Sequence, residues 1–448
     1  MNIKQFFDDG LAHASYVITV GKQAVVIDPA RDPQPYYDHL KETGAELIGI
    51  IETHPHADFV SAHLEMHETT GAPILVSGKV GAGYTHRAFD GGKTFALGDH
   101  SLRALDTPGH SPDSISILLS DAGGKQLAVF TGDTLFVGDV GRPDLRESGG
   151  NADSKKEQLA RAMYSSLREQ LMPLDDEVEV YPAHGAGSLC GKGMSDEKSS
   201  TIGKERRENP ALQSMTEDAF VDWLLADQPF IPKYFPYDVD LNKRGAPSMQ
   251  ESVRAVCREE FGFTPESKED AVIIDTREEA TFKLGHLKGA INIQEGNKFE
   301  TWLGSLVAPE TPFYLVARDE ETLDTVIRKA AKIGYEPFIA AAFPQRESSS
   351  EASMKPIDMD HFRESPEDFT IVDIRNASEV EEGKYFPSAL NIPLPELSDR
   401  TGEIPTDKPI VVHCAGGYRS AAGSSIVAAE LSGQTDIFDL SEAVNDFQ

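Results

Sequence analysis

The chain has 448 residues, too many for one ordinary hydrophobic core, and domain-size scaling leads us to expect three folded units. Its 39% hydrophobic and 26% charged residues exclude wholesale disorder. Its 74 acidic against 42 basic residues, a formal net charge of -32, exclude polyanion partners, so no nucleic acid and no membrane surface is expected to bind.

Met1 to Gly10 carries Asp8 and Asp9 and lacks the basic start and apolar stretch of a signal peptide. No later apolar run approaches a membrane span. Three scattered cysteines, Cys190, Cys257 and Cys414, do not make a disulfide framework and read as free thiols of a reducing compartment. A cytoplasmic protein is expected.

In chain order, Tyr16 to Val20 and Ala24 to Ile27 flank a Gly21 turn and predict a hairpin. A helical pattern follows at Pro35 to Thr43. The apolar strand Leu47 to Ile51 then runs into Thr53-His54-Pro55-His56-Ala57-Asp58. Further strands are predicted at Ile74 to Val76, Leu102 to Leu105, Ile115 to Leu119, Leu127 to Phe130 and Val178 to Tyr181, with a polar helix at Ser154 to Gln170. This α/β domain is expected over residues 1–245, with Pro236 and Arg244-Gly245-Ala246-Pro247 as its linker.

The remainder repeats itself. Val272-Ile273-Ile274-Asp275-Thr276-Arg277, with Ala290 to Ile293 beyond it, recurs about a hundred residues later as Ile371-Val372-Asp373-Ile374-Arg375 with Ala389 to Ile392. So long a period means tandem domains, expected at 250–345 and 356–448, with Glu347 to Ser353 as a solvated linker.

Ligand-type side chains follow four of the strands: His54, His56 and Asp58; His110 in Thr107-Pro108-Gly109-His110-Ser111; Asp133 in Thr131-Gly132-Asp133-Thr134; and His184 in Tyr181-Pro182-Ala183-His184-Gly185. Any one of the 13 histidines, taken alone, reads as a surface or core residue. Four such motifs, each beside Gly or Pro at a strand end, converge on a metal site. Imidazole and carboxylate suit first-row metals, and two histidines with one carboxylate leave iron open positions for substrate and dioxygen, although zinc fits the same donors.

The stretch Thr53-His54-Pro55-His56-Ala57-Asp58-Phe59, with the three later motifs, resembles the metallo-β-lactamase superfamily, whose fold is an αββα sandwich. Dinuclear zinc members carry a histidine after the aspartate, where this chain has Phe59. Gly138 to Leu145 resembles the persulfide dioxygenase branch. That resemblance implies one Fe(II) per chain, held by His54, His110 and Asp133, with His56, Asp58 and His184 as pocket neighbours. Arg142 is the candidate fork for an anionic thiol substrate. Cys190, six residues beyond His184, is a candidate second thiol, although a small buried hydrophobe is the plainer reading. Cys257 has no motif around it.

Toward the C-terminus, the strand Ile410 to His413 leads into Cys414-Ala415-Gly416-Gly417-Tyr418-Arg419-Ser420 and a small-residue helix from Ala421 to Leu431. Glycines let the loop turn its N–H groups inward, and a helix N-terminus adds partial positive charge, which together favour a thiolate. Cys414 is the expected nucleophile, and Ala415, Gly416, Gly417, Tyr418 and Arg419 its cradle. Cys414 and Arg419 enclose four residues, a tighter loop than that of cysteine phosphatases. The loop, with Asp373-Ile374-Arg375 and Asn391-Ile392, resembles the rhodanese family, an α/β fold with a parallel sheet. The first repeat has Ala317-Arg318-Asp319 after its strand and no cysteine, so it reads as inactive, with Asp275 and Arg277 structural.

Together the resemblances imply oxidation of a persulfide of glutathione or another thiol by O2 to sulfite. A Cys414 persulfide would then feed the iron or convert sulfite to thiosulfate. A homo-oligomer is expected. The competing readings are a zinc thioester hydrolase of the glyoxalase II type with a fused sulfurtransferase, and a non-catalytic sulfide-sensing scaffold.

Overall fold

The computed structural model describes residues 1–145, 152–265, 271–346, 351–431 and 433–447. The chain divides into two compact units, Met1–Glu251 with Lys332–Gly334, and Ser252–Ala331 with Tyr335–Gln448.

The first unit is a sandwich of two six-stranded sheets. The first sheet runs in chain order: β1 (Asn2–Asp8), β2 (His13–Val20), β3 (Gln23–Ile27), β4 (Glu46–Ile51), β5 (Ile74–Val76) and β6 (Arg87–Ala88). β1, β2 and β3 are antiparallel, and β3 to β6 are parallel. The second comprises β7 (Thr94–Leu97), β8 (His100–Asp106), β9 (Ile115–Ser120), β10 (Gln126–Gly132), β11 (Glu179–Pro182) and β12 (Ser200–Thr201), with β10 and β11 parallel.

One face of each sheet supplies the middle of the sandwich. Tyr16, Ile18, Val25, Ile27 and Ile51 meet Leu102, Ala104, Ile117, Leu119 and Phe130 there, all buried. The alternate residues face outward, as a period of two requires. Val17, Val26 and Ile50 pack on Tyr36, Leu40 and Met66 from the helices Gln34–Thr43 and His63–Thr70. Leu118, Val129 and Val180 pack on Ala160, Met163, Leu167 and Phe220. Helices therefore cover both outer faces, giving the expected αββα layers.

The hairpin and the strands predicted from the pattern form where they were placed. The polar helix forms as Ala152–Ser166 and continues as a π-helical turn, Leu167–Leu171. Pro236 corrects one expectation. It stands in the first turn of the helix Phe235–Arg244, where a missing N–H costs nothing, rather than in a linker. Gly245 ends that helix with a φ of 83°.

The second unit holds two four-stranded parallel sheets of like topology. In one, β13 (Val272–Asp275) lies between β14 (Ile291–Asn292) and β15 (Phe313–Ala317), with β16 (Ile339–Pro344) outside β15. In the other, β17 (Thr370–Asp373) lies between β18 (Leu390–Asn391) and β19 (Ile410–His413), with β20 (Ile437–Asp439) outside β19. The repeated residues do the same work twice. Arg277 forks onto Asp275 and Arg375 onto Asp373, while Asn292 and Asn391 each donate to two backbone carbonyls of the same turn.

Of the expected serine-rich linker, residues 347–350 lie outside the described residues. Its far end is held, because Ala352 and His286 exchange both backbone hydrogen bonds at 2.9 Å. Among the described residues no helix is long and apolar enough to cross a membrane.

Candidate metal centre and thiol loop

His54, His110, Asp133 and His184 follow β4, β8, β10 and β11, so the sheets bring their ends to one buried rim. His54, His110 and Asp133 present donor atoms that all lie within 4.8 Å of one another. Asp133 Oδ2 stands 3.8 Å from His54 Nε2 and 3.5 Å from His110 Nε2, and although buried it makes no hydrogen bond. Two donors each about 2.1 Å from one ion stand roughly 3–3.5 Å apart, so this set fits a single metal ion.

The tethers on the far sides of the rings set their tautomers. His110 Nδ1 donates to the carbonyl of Arg142 at 2.9 Å, which leaves Nε2 as the ligand atom. Thr53 Oγ1 donates to Asp28 Oδ2 at 2.9 Å and lies 3.0 Å from His54 Nδ1, which must therefore donate to it. Asp28 also accepts the Thr53 N–H, at 2.7 Å. The loop over the site must pass close: a Cβ on Gly141 would strike the Asp133 carbonyl and come within 2.9 Å of His110 Nδ1.

Three neighbouring buried groups, His56 with Asp133 and His184, Asp58 with His184 and Cys190, and Asp28 with Glu52 and His56, also bring donor atoms within 4.8 Å of one another. His184 lies between two carboxylates, with Nδ1 2.8 Å from Asp133 Oδ1 and Nε2 2.8 Å from Asp58 Oδ2. Burial opposes its charged form, but Asp133 and Asp58 outweigh that and raise its pKa well above the ordinary value. His56 lies 3.3 Å from Asp28 Oδ1. Phe59 is buried against His56, His184 and His13, where a dinuclear site would place a ligand.

Cys190 reaches the same pocket beside Asp58 and His184. Burial first, then Asp58 and Asp133, push its thiol pKa well up, which keeps it protonated. Arg142 has partners within the protein: its Nε and Nη2 fork onto Asp144 at 2.7 Å each, and its Nη1 lies 3.3 Å from two carbonyls, so the side chain braces the loop.

The sequence reading missed His13, Asp28 and Thr53. Only the strand-ending Asp28-Pro29 and the Thr directly before His54 could have signalled the tether. His13 had no signal, because β2 enters the pocket only through pairing.

In the second unit Cys414 is buried after β19, and Gly417 N–H donates to its Sγ at 3.1 Å. Gly417 has a φ of 98°, and a Cβ there would press on the backbone of Ser441 and Glu442. Two cradle side chains have partners outside the loop. Tyr418 OH donates to Gln294 O at 2.9 Å, and Arg419 forks onto Glu379 at 2.6 and 2.7 Å. Ala415 and Gly416 form the loop between, with Gly416 exposed. Register carries the comparison of the repeats: Asp373 faces His413 and Asp275 faces Val316, so Ala317 holds the place of Cys414.

A four-layer sandwich with its ligand set at one rim, joined to parallel-sheet units of which one keeps a cysteine loop, defines a metal-site protein with appended parallel-sheet domains. Residues 8–184 match the metallo-beta-lactamase superfamily, and residues 265–340 and 358–448 the rhodanese-like domain. A crystal structure of a metallo-beta-lactamase from Staphylococcus aureus subsp. aureus COL is 32% identical, with a TM-score of 0.70, covering 77% of this chain and 99% of that one. A probable metallo-hydrolase of Burkholderia pseudomallei is 28% identical over 49% of this chain and 84% of its own length. Human mitochondrial persulfide dioxygenase ETHE1 is 25% identical over 48% of this chain and 78% of its own length. The chain belongs to the metallo-beta-lactamase superfamily and carries rhodanese-like domains behind its metal domain.

Proposed function

We propose that this protein oxidises a low-molecular-weight persulfide, such as glutathione persulfide, with dioxygen at a mononuclear ferrous site and moves sulfane sulfur through Cys414. The observation that carries this reading is the buried His54, His110, Asp133 set, with Phe59 packed on the neighbouring His56 and His184. A ferrous ion held there would supply open positions and the electrons for dioxygen chemistry. In the overall reaction, persulfide, O2 and water give the free thiol and sulfite. The outer sulfur gains three oxygens, and the S–S bond breaks.

The chain's own residues prepare the site. Thr53 and the Arg142 carbonyl hold the His54 and His110 rings, His184 holds one oxygen of Asp133, and Phe59 and Phe136 wall the pocket with apolar surface. In the second unit the Cys414 thiolate attacks a sulfane sulfur, the donor S–S bond breaks, and the donor leaves as a thiolate. Passing that sulfur to sulfite gives thiosulfate and returns the cysteine.

The test is anaerobic iron reconstitution followed by oxygen-electrode assay with glutathione persulfide and detection of sulfite, comparing wild type with Asp133→Ala. Uptake that depends on iron and on Asp133 supports the reading. No uptake, with zinc bound and thioesters cleaved, replaces it with the hydrolase.

A further inference from the structure

We propose that Glu379 sets the charge of the Cys414 cradle, so that the loop takes sulfur from a donor whose reacting end carries one negative charge, a persulfide, in preference to a dianion such as thiosulfate. The inference rests on the sulfur-transfer reading of Cys414.

A cysteine loop ending in arginine would ordinarily offer that guanidinium to a doubly charged donor. Here Arg419 gives Nη1 and Nη2 to the two oxygens of Glu379. Glu379 does not owe its position to that arginine. It closes the capping box of the helix Ala377–Glu382, accepting the Asn376 N–H at 3.0 Å, so its carboxylate is placed by the helix and then claims Arg419.

The other cations on elements packed about the loop are treated alike. Arg375 forks onto Asp373 and lies over Tyr385 at 3.8 Å. Lys283, supplied by the cysteine-less repeat, lies 2.8 Å from Asp439 and 2.9 Å from Glu279. Each has its own carboxylate. Arg419 still lies within electrostatic range of Cys414, but Glu379 balances its charge, and the hydrogen bond the sulfur itself accepts comes from the backbone N–H of Gly417, at the start of the helix Tyr418–Leu431. Such partial charges suit one delocalised negative charge. The net charge of -32 adds a long-range bias, because it repels a dianion more than a monoanion.

In the step itself Cys414 Sγ attacks the outer sulfur of R–S–S⁻. The Sγ–S bond forms, the donor S–S bond breaks, and the electron pair leaves on RS⁻. With thiosulfate the leaving group is sulfite, and two negative charges must enter the cradle.

The experiment loads Cys414 of the full chain with the persulfide of 2-mercaptoethanol or with thiosulfate, read by mass, and compares kcat/KM for the two donors. Glu379→Gln should raise the thiosulfate-to-persulfide ratio about tenfold through KM, and the gain should fade with added salt. The charge-balanced double variant, Glu379→Gln with Arg419→Gln, should return to the wild-type ratio. An unchanged ratio in Glu379→Gln overturns the inference. So does a clear fall below the wild-type ratio in the double variant, because Arg419 would then be serving the dianion itself. If Glu379→Gln alone fails to fold, the double variant decides in the same way. If wild-type Cys414 accepts sulfur from neither donor, the sulfur-transfer reading fails. If it is loaded and the ratio does not move, only the inference falls.

Discussion

The ring of Phe59 lies 4.5 Å from that of His56, centroid to centroid, and tilts by 36° against it. An apolar side chain thus occupies the side of the pocket on which Asp58 and His184 meet. Asp58 Oδ1 is buried there without a hydrogen bond. Phe59→His would add an imidazole to Asp58 and His184. Zinc content after saturation and gel filtration is expected to rise from about one to about two ions per chain, while oxygen uptake by the iron form falls. A variant that still holds one ion would show that Phe59 does not control metal number.

Thr53 joins Asp28 to His54 through one hydroxyl. Thr53→Val keeps the shape and removes both bonds, leaving the imidazole free to rotate. Iron affinity, measured by chelator competition, should weaken about 10–100-fold with the fold retained by circular dichroism. Thr53→Ser should restore most of it.

Arg142 is buried with both carboxylate bonds to Asp144 intact, and its carbonyl holds His110. Arg142→Ala leaves Asp144 without its cation and should cost about 3 kcal/mol in denaturant unfolding of the first unit. A fall in persulfide affinity with no loss of stability would instead return Arg142 to the substrate.

Burial raises the Glu379 pKa, but the hydrogen bonds and charge of Arg419 outweigh that and lower it. A depressed carboxylate contributes stability that is present above its unfolded value, about 4.3, and is lost as pH falls through the folded value. The thermal-midpoint advantage of wild type over Glu379→Gln should therefore hold steady from neutral pH to about 5 and shrink in more acid solution. Parallel curves throughout would mean that the pair contributes nothing to stability.

Much of the fold was legible because each predicted strand is short, apolar and punctuated. Tyr16 to Val20 and Ala24 to Ile27 pair around Gly21 as read. The repeat was legible because Asp275 with Arg277 and Asp373 with Arg375 build the same turn. Pro236 was misread because proline marks either a break or the first turn of a helix, and only the residues after it decide which. The Asp144 partner of Arg142 was not legible for a related reason. A guanidinium suits a substrate carboxylate and Asp144 equally well, and two residues of separation do not reveal which it meets.

Residue type and spacing by themselves determined the layered α/β plan, the ligand types of the metal rim and the cysteine of the thiol loop, because strand periodicity and donor chemistry are local properties. Only tertiary structure decided which donors face one another, that His13 and Phe59 line the pocket, that His184 lies between Asp133 and Asp58, and that Glu379 holds Arg419. Those relations join residues distant in sequence, and distances of a few ångströms between them are set by sheet pairing and core packing.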